Sequence, residues 1–175
     1  IVACGTAYHA GMYGRLLLEN LTGVAVETDL ASEFRYRNPK INDDTLVIAV
    51  SQSGETADTL ASIRMAREIG CPVLSICNVP GSSIVRESDG VLFTDAGLEI
   101  GVASTKAYTA QQTAFILLGE LALLTLAALP LGFGLGNLMG QAVVAAFRTE
   151  MYRFPFVLEP GSYAFAALVV LAAAA

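Results

Sequence analysis

Residues 50–56 read Val-Ser-Gln-Ser-Gly-Glu-Thr, "VSQSGET", and continue directly from the apolar run "TLVIA" of residues 45–49. A continuously apolar run bounded by turn residues predicts a strand covered on both faces, as in a parallel sheet. The helix-forming stretch "ETADTLASIRMAREIG" follows, with Gly70 as its stop signal. A strand-to-helix turn needs one or two polar residues. This one has three hydroxyls, a glutamine, a glycine and a glutamate, which suggests that the loop holds a ligand as well as turning the chain.

The same alternation runs along the chain. "IVACG" is a short apolar run, followed by the helix-like "AYHAGMYGRLLLENLTG", with Met12, Tyr13, Leu16, Leu17 and Leu21 at helical spacing and Gly23 at its end. "VAVETDL" reads as a strand and "ASEFRYR" as a short helix or turn. "CPVLSICNV" and "GVLFTD" read as further strands, and "STKAYTAQQTAFILLGELALLTLAAL" as a long helix. Strands alternating with helices imply βαβ units and a parallel sheet. The expected fold is an α/β three-layer sandwich of flavodoxin or Rossmann type, followed by an apolar C-terminal segment. Residues 1–130 are expected to form the domain, and residues 131–175 a partial second unit or tail.

Hydrophobic residues make up 54% of the 175-residue chain and charged residues 15%, so a large core or a further apolar interface is expected. The net charge of −6 argues against nucleic-acid binding, which calls for a basic stripe. An anionic ligand is still compatible, because backbone amides at a helix start bind anions regardless of overall charge. Cys4, Cys71 and Cys77 have no CxxC spacing and no neighbouring histidine cluster. They read as reduced thiols of a cytoplasmic protein, with no metal and no cofactor expected. The opening "IVACGT" reads as strand, so a longer protein is expected to precede it. Residues 121–139 carry no formal charge and have the length of a membrane span. Pro130 and several glycines interrupt them and basic flanking clusters are missing, so two packed core elements joined by a turn at Pro130-Leu131-Gly132 are expected instead.

In open parallel sheets ligands bind beyond the carboxyl ends of the strands. The polar runs "CGTA", "SQSGET", "NVPGSS" and "EIGVASTK" all fall at such positions. In "SQSGET", Gly54 allows a sharp bend, the following helix offers unpaired amides, and Ser51, Gln52, Ser53 and Thr56 add neutral donors, which suits a phosphate dianion. Helix capping, with Ser53 as N-cap, explains part of the same pattern. The GK[ST] ending of a P-loop is missing. Thr6 can donate to a sugar or phosphate oxygen. Ser104, Thr105 and Lys106 offer two hydroxyls and a cation, although a lone lysine also reads as a solvated charge. His9, the one histidine, lies inside the first helix and reads as structural.

Five segments in order, "ACGTAYHAG", "ASEFRYR", "SQSGETADTL", "ICNVPGSSIVRESD" and "GLEIGVASTKAYTAQ", resemble the first sugar-isomerase (SIS) domain of the glutamine:fructose-6-phosphate aminotransferase (isomerizing) family. The resemblance covers residues 1–121. It implies a five-stranded parallel sheet and a hexose phosphate, fructose 6-phosphate or glucosamine 6-phosphate, at the strand ends. Carried over by position, Ser51, Gln52, Ser53 and Thr56 would contact the phosphate, Thr6 and Ala7 would touch the sugar phosphate, and Val102 would line the sugar pocket. The family usually has serine where Ala7 stands, so a hydroxyl contact is lost there while a backbone contact survives. The resemblance further implies a homodimer and a glutaminase domain outside this chain.

In that family the base glutamate, the ring-opening histidine and the Schiff-base lysine come from a second SIS domain and the C-terminal tail. "LGFGLG" at residues 131–136 is faintly similar to the opening strand of that second domain. The expected "ALEGALKLKE" and "HAEAYxxGELKHGP" segments do not follow, and Glu150 and Glu159 do not align with the catalytic glutamate. No catalytic residue is therefore assigned. Two readings stay open: the hexose-phosphate-binding part of the aminotransferase, and a non-catalytic SIS module that binds or senses a phosphosugar.

Overall fold

The computed structural model describes residues 1–101, 103–146 and 160–174. The chain divides into two compact units, Ile1–Gly119 and Glu120–Ala175. In the first, strands β1 (Val2–Ala3), β2 (Asp29–Leu30), β3 (Val47–Ser51), β4 (Val73–Cys77) and β5 (Gly90–Phe93) alternate with helices α1 (Gly5–Thr22), α2 (Ala31–Phe34), α3 (Ala57–Ile69) and α4 (Ser83–Arg86). A fifth helix, α5, runs from Lys106 to Ala146. The strands form one sheet in the order β2-β1-β3-β4-β5, every pair parallel.

Strand β3 explains the layering. All five of its residues are buried. Because successive side chains point to opposite faces, Val47 and Ala49 join a cluster with Phe34, Ile63, Ala66 and Ile84, from α2, α3 and α4. Ile48 and Val50 join the other cluster, with Ala7 and Leu18 of α1 and Ala114 and Phe115 of α5. The result is the expected three-layer sandwich. Phe115 is fully buried, and its ring lies where a Cβ on Gly14 would stand 2.5 Å away, so α1 accepts the ring only because residue 14 has no side chain.

Two expectations change. The stretch "VAVETDL" contributes only Asp29 and Leu30 to the sheet. The residues before them are tied back to α1 instead: the Val24 N–H donates to Thr22 Oγ1 (3.2 Å) and the Val26 N–H to Glu19 Oε1 (3.1 Å). At this edge the neighbouring β1 is itself only two residues long, and it pairs through Val2 with Asp29 and Ala3 with Leu30. The expected turn at Pro130-Leu131-Gly132 is also absent, since α5 passes through Pro130 without a break. Proline removes one helical hydrogen bond and crowds the preceding turn, but the Ala and Leu residues before it favour helix strongly.

In the second unit the remainder of α5 is followed by α6 (Pro160–Ala174), and Phe133 meets Tyr163 edge-on, with centroids 5.1 Å apart. Leu124, Leu131, Leu135, Leu138 and Met139 are exposed along α5. Among the described residues, α5 is the one helix long and apolar enough to cross a membrane, and its most apolar 18 residues have a mean hydropathy of 2.1. Glu150 and Glu159 lie outside the described residues.

Candidate functional site

The register brings the strand ends to one edge of the sheet. Ala3 pairs with Val50, Ser51 with Cys77, and Cys77 with Phe93. Strand order reverses between β1 and β3, the place where open sheets hold ligands. The first turn of α1, with Thr6 and Ala7, follows β1, and residues 52–56 follow β3. Helices α1 and α3 pack on opposite faces of the sheet, so their N-terminal ends flank this switch point.

The loop after β3 is built largely from its own hydrogen bonds. Gly54 adopts φ +68°, the left-handed region that a residue with a side chain enters only under strain. Its N–H donates to Ser51 Oγ (3.0 Å), and Ser51 Oγ and Thr56 Oγ1 share a hydrogen bond of 3.1 Å. The Glu55 N–H donates to Ser53 Oγ (3.2 Å). Ser51 is only 2% exposed, Gln52 and Thr56 are half-buried, and Ser53 is exposed. Ser51 therefore shapes the turn from below, while a hydroxyl that accepts from Gly54 keeps its own hydrogen to donate.

Capping explains less of this loop than the sequence pattern suggests. The residue before α3 is Thr56, not Ser53, and it makes no side-chain cap. The first amides of α3 thus lack an intrahelical partner and stand at the positive end of a 13-residue helix.

A second loop, after β4, locks onto the first. The Ile84 N–H donates to the Gly54 carbonyl (3.0 Å), and the Ser83 N–H donates to Glu55 Oε1 (2.8 Å). That hydrogen bond is the main cause holding the Glu55 carboxyl below the usual carboxylate range, followed by the Ser83 hydroxyl, with Arg86 adding a smaller attraction. Ser82 Oγ sits 3.6 Å from Cys77 Sγ, tight against Gly54. Asn78 braces the strand ends: its amide donates to the Gly97 carbonyl (2.8 Å), and its oxygen accepts from Thr94 Oγ1 (3.1 Å) and the Ala96 N–H (2.7 Å).

The segment before α5 is organised by Glu99. Its carboxylate accepts from the Ala107 N–H (2.9 Å), Ser104 Oγ (3.3 Å), and the Thr105 N–H and Oγ1 (3.4 Å each). The Ala107 bond is the largest cause that keeps this carboxyl below the ordinary range, and the charge on Lys106 contributes last. Ser104 and Thr105 therefore serve a cap within the chain, together with the Ala107 amide. Val102 lies outside the described residues.

Thr6 is half-buried in the first turn of α1, and Ala7 is buried in the core, so its backbone N–H is the group it has left to offer. His9 is exposed on α1 and meets Tyr8 edge-on at 5.6 Å. The three cysteines are free. Among the described residues no group of three or more His, Cys, Asp or Glu side chains could hold a metal ion.

Sequence reading located the four loops but not Glu55 and Glu99 as fastenings. Their partners, Ser83 and Ala107, are 28 and 8 residues away. No local spacing rule marks a glutamate that accepts from a distant loop amide.

Comparison with known proteins matches residues 1–121 to the family described as "SIS domain". A glutamine–fructose-6-phosphate aminotransferase [isomerizing] from Symbiobacterium thermophilum is 61% identical over 118 residues, which is 67% of this chain and 19% of that protein. Its counterpart from Methanosarcina acetivorans is 55% identical over 118 residues, with the same coverage of both chains. Among solved structures, the C-terminal domain of glucosamine-fructose-6-phosphate aminotransferase from Francisella tularensis superposes with a TM-score of 0.66 at 48% identity. That match covers 70% of this chain and 34% of the other. The chain thus spans about a fifth of the length of the curated relatives it matches.

Proposed function

The chain belongs to the SIS domain family, and from that premise we propose that it binds the phosphate group of a hexose phosphate in the loop after β3. Its place would be the sugar-binding half of a glutamine:fructose-6-phosphate aminotransferase, which makes glucosamine 6-phosphate from fructose 6-phosphate and glutamine-derived ammonia. The observation that carries the reading is the construction of residues 51–56: a left-handed glycine, hydroxyls braced from within, and unpaired helix amides at the switch point of the sheet.

In this reading the amides at the start of α3 hold the dianion, since they need no proton transfer and little rearrangement to do so. Gln52 and Ser53 donate from the sides, and the Ser51–Thr56 hydroxyl pair, whose mutual hydrogen bond uses one of its two hydrogens, donates the other. Thr6 and the backbone of Ala7 close the site from the β1 side. The glutaminase domain, the second SIS domain and a homodimer partner belong to the proposed whole protein, which acts in the cytoplasm.

The test is calorimetric titration of the chain with fructose 6-phosphate. Saturable binding that weakens by about 1.5–3 kcal/mol in the Ser51→Ala/Ser53→Ala double variant is expected, the range for a hydrogen bond to a charged group. No binding at millimolar ligand refutes the proposal. A second reading, a module that binds without turnover, is excluded if this chain forms glucosamine 6-phosphate from fructose 6-phosphate and ammonia.

A further inference from the structure

One residue sits awkwardly in a loop built to receive a phosphate. Glu55 lies between Gly54 and Thr56, beside the unpaired amides of α3, where a free carboxylate would compete with an incoming anion for the same positive helix end. Its side chain is exposed and has open solvent available. It is nevertheless directed onto the Ser83 N–H at 2.8 Å, the first helical amide of α4.

The surroundings make that contact a fastening between two loops. The Ile84 N–H donates to the Gly54 carbonyl one residue away, and Ser82 packs against Gly54 itself. Helix α4 is in turn held to α3 by Arg64, whose guanidinium makes two hydrogen bonds to the Glu87 carboxylate, at 2.8 and 2.6 Å. Arg86 turns back on its own loop, to the Gly81 carbonyl and to Ser83 Oγ. The amide that receives Glu55 is therefore fixed to the helix whose N-terminus would receive the phosphate.

We propose that Glu55 is a positioning residue: by latching onto the Ser83 amide it fixes the tip of the loop after β3 and keeps its own charge away from the bound phosphate. This rests on the phosphate-binding reading of that loop. The latch acts through Ser83 and contacts no ligand.

Ser83→Pro provides the test, because it removes the amide hydrogen and leaves the carboxylate in place. Proline is tolerated at the first position of a helix, and the preceding Ser82 already has the extended conformation (φ −65°, ψ 166°) that a following proline requires. Ser83→Ala keeps the amide and serves as the control for the lost hydroxyl. Affinities for inorganic phosphate and fructose 6-phosphate are measured by calorimetry, alongside ligand-free melting temperatures.

Ser83→Pro is expected to weaken both ligands about tenfold, the loss of one hydrogen bond to a charged group, while Ser83→Ala, which gives up only the weaker contribution of the hydroxyl, stays within about threefold of the parent. Glu55→Gln, whose amide oxygen still accepts from Ser83, should bind within about threefold of the parent. Glu55→Ala added to Ser83→Pro should cause no further loss, as expected of two residues acting as one unit. Equal affinity in Ser83→Pro and Ser83→Ala, or effects of Glu55→Ala and Ser83→Pro that multiply, overturns the latch while leaving phosphate binding intact. A parent chain that binds neither ligand overturns the phosphate reading, and the latch with it. If Ser83→Pro melts far below the parent, Glu55→Ala against Glu55→Gln decides: equal affinities in that pair overturn the latch, and recovery in Glu55→Gln supports it.

Discussion

Replacing Gly54 by alanine places a methyl group at the tightest point of the loop after β3. Two penalties add. The backbone sits at φ +68°, and holding an L-residue in the left-handed region costs about 1–2 kcal/mol. The new Cβ would stand 1.9 Å from Ser82 Oγ, 2.4 Å from Ser82 Cβ and 2.9 Å from Cys77 Sγ. Rotating the Ser82 hydroxyl relieves the first of these contacts but not the second, because a Cβ moves only with its backbone. The loop after β4 must shift, at the roughly 1–3 kcal/mol typical of overpacking. The expected loss is thus about 2–5 kcal/mol, or a fall in Tm of roughly 6–15 °C for a chain of this size. Gly81 supplies the comparison: it has φ +74°, but a Cβ added there would meet nothing within 4 Å, so Gly81→Ala should show the backbone penalty alone. Thermal unfolding followed by circular dichroism measures both, and Ser82→Gly added to Gly54→Ala should recover part of the difference. Gly54→Ala no more destabilising than Gly81→Ala would refute the packing account of this loop.

Phe115 is fully buried and fills the space over Gly14, so Phe115→Ala should lose about 3–5 kcal/mol in urea unfolding, the range for emptying a core aromatic site. The cap made by Glu99 carries a definite pH sign. Its folded pKa is depressed, first by the Ala107 hydrogen bond, so its stabilisation is fully present above the ordinary carboxylate range and fades as pH falls through the lowered value. The difference in melting temperature between the parent and Glu99→Gln should therefore shrink on acidification below that range; a difference that stays constant to the lowest pH at which the chain folds would count against the cap.

The extent to which the site was legible follows from the range over which each feature is encoded. The apolar run of β3, the stop at Gly23 and the bend at Gly54 are consequences of side-chain size and backbone freedom within a few residues, so they can be read directly. Thr56 rather than Ser53 standing before α3 is a matter of where the turn closes, and that depends on Ser51 Oγ accepting from Gly54, a contact invisible in a pattern of serines. The continuity of α5 through Pro130 reflects competition between one unfavourable residue and many favourable neighbours, which a breaker rule applied to a single position misses.

By itself, the sequence determined an α/β chain of parallel strands, a hydroxyl-rich turn after the third of them, and the family resemblance of residues 1–121. Only the tertiary structure decided which loops face one another. The pairing of Ser51 with Cys77 sets the loops after β3 and β4 side by side, and from that register Glu55 reaches Ser83 and Gly54 meets Ser82. A continuous apolar run specifies that a strand such as β3 is buried on both faces. The partner of a polar group 28 residues away is fixed by strand order and register, which arise when the whole core packs.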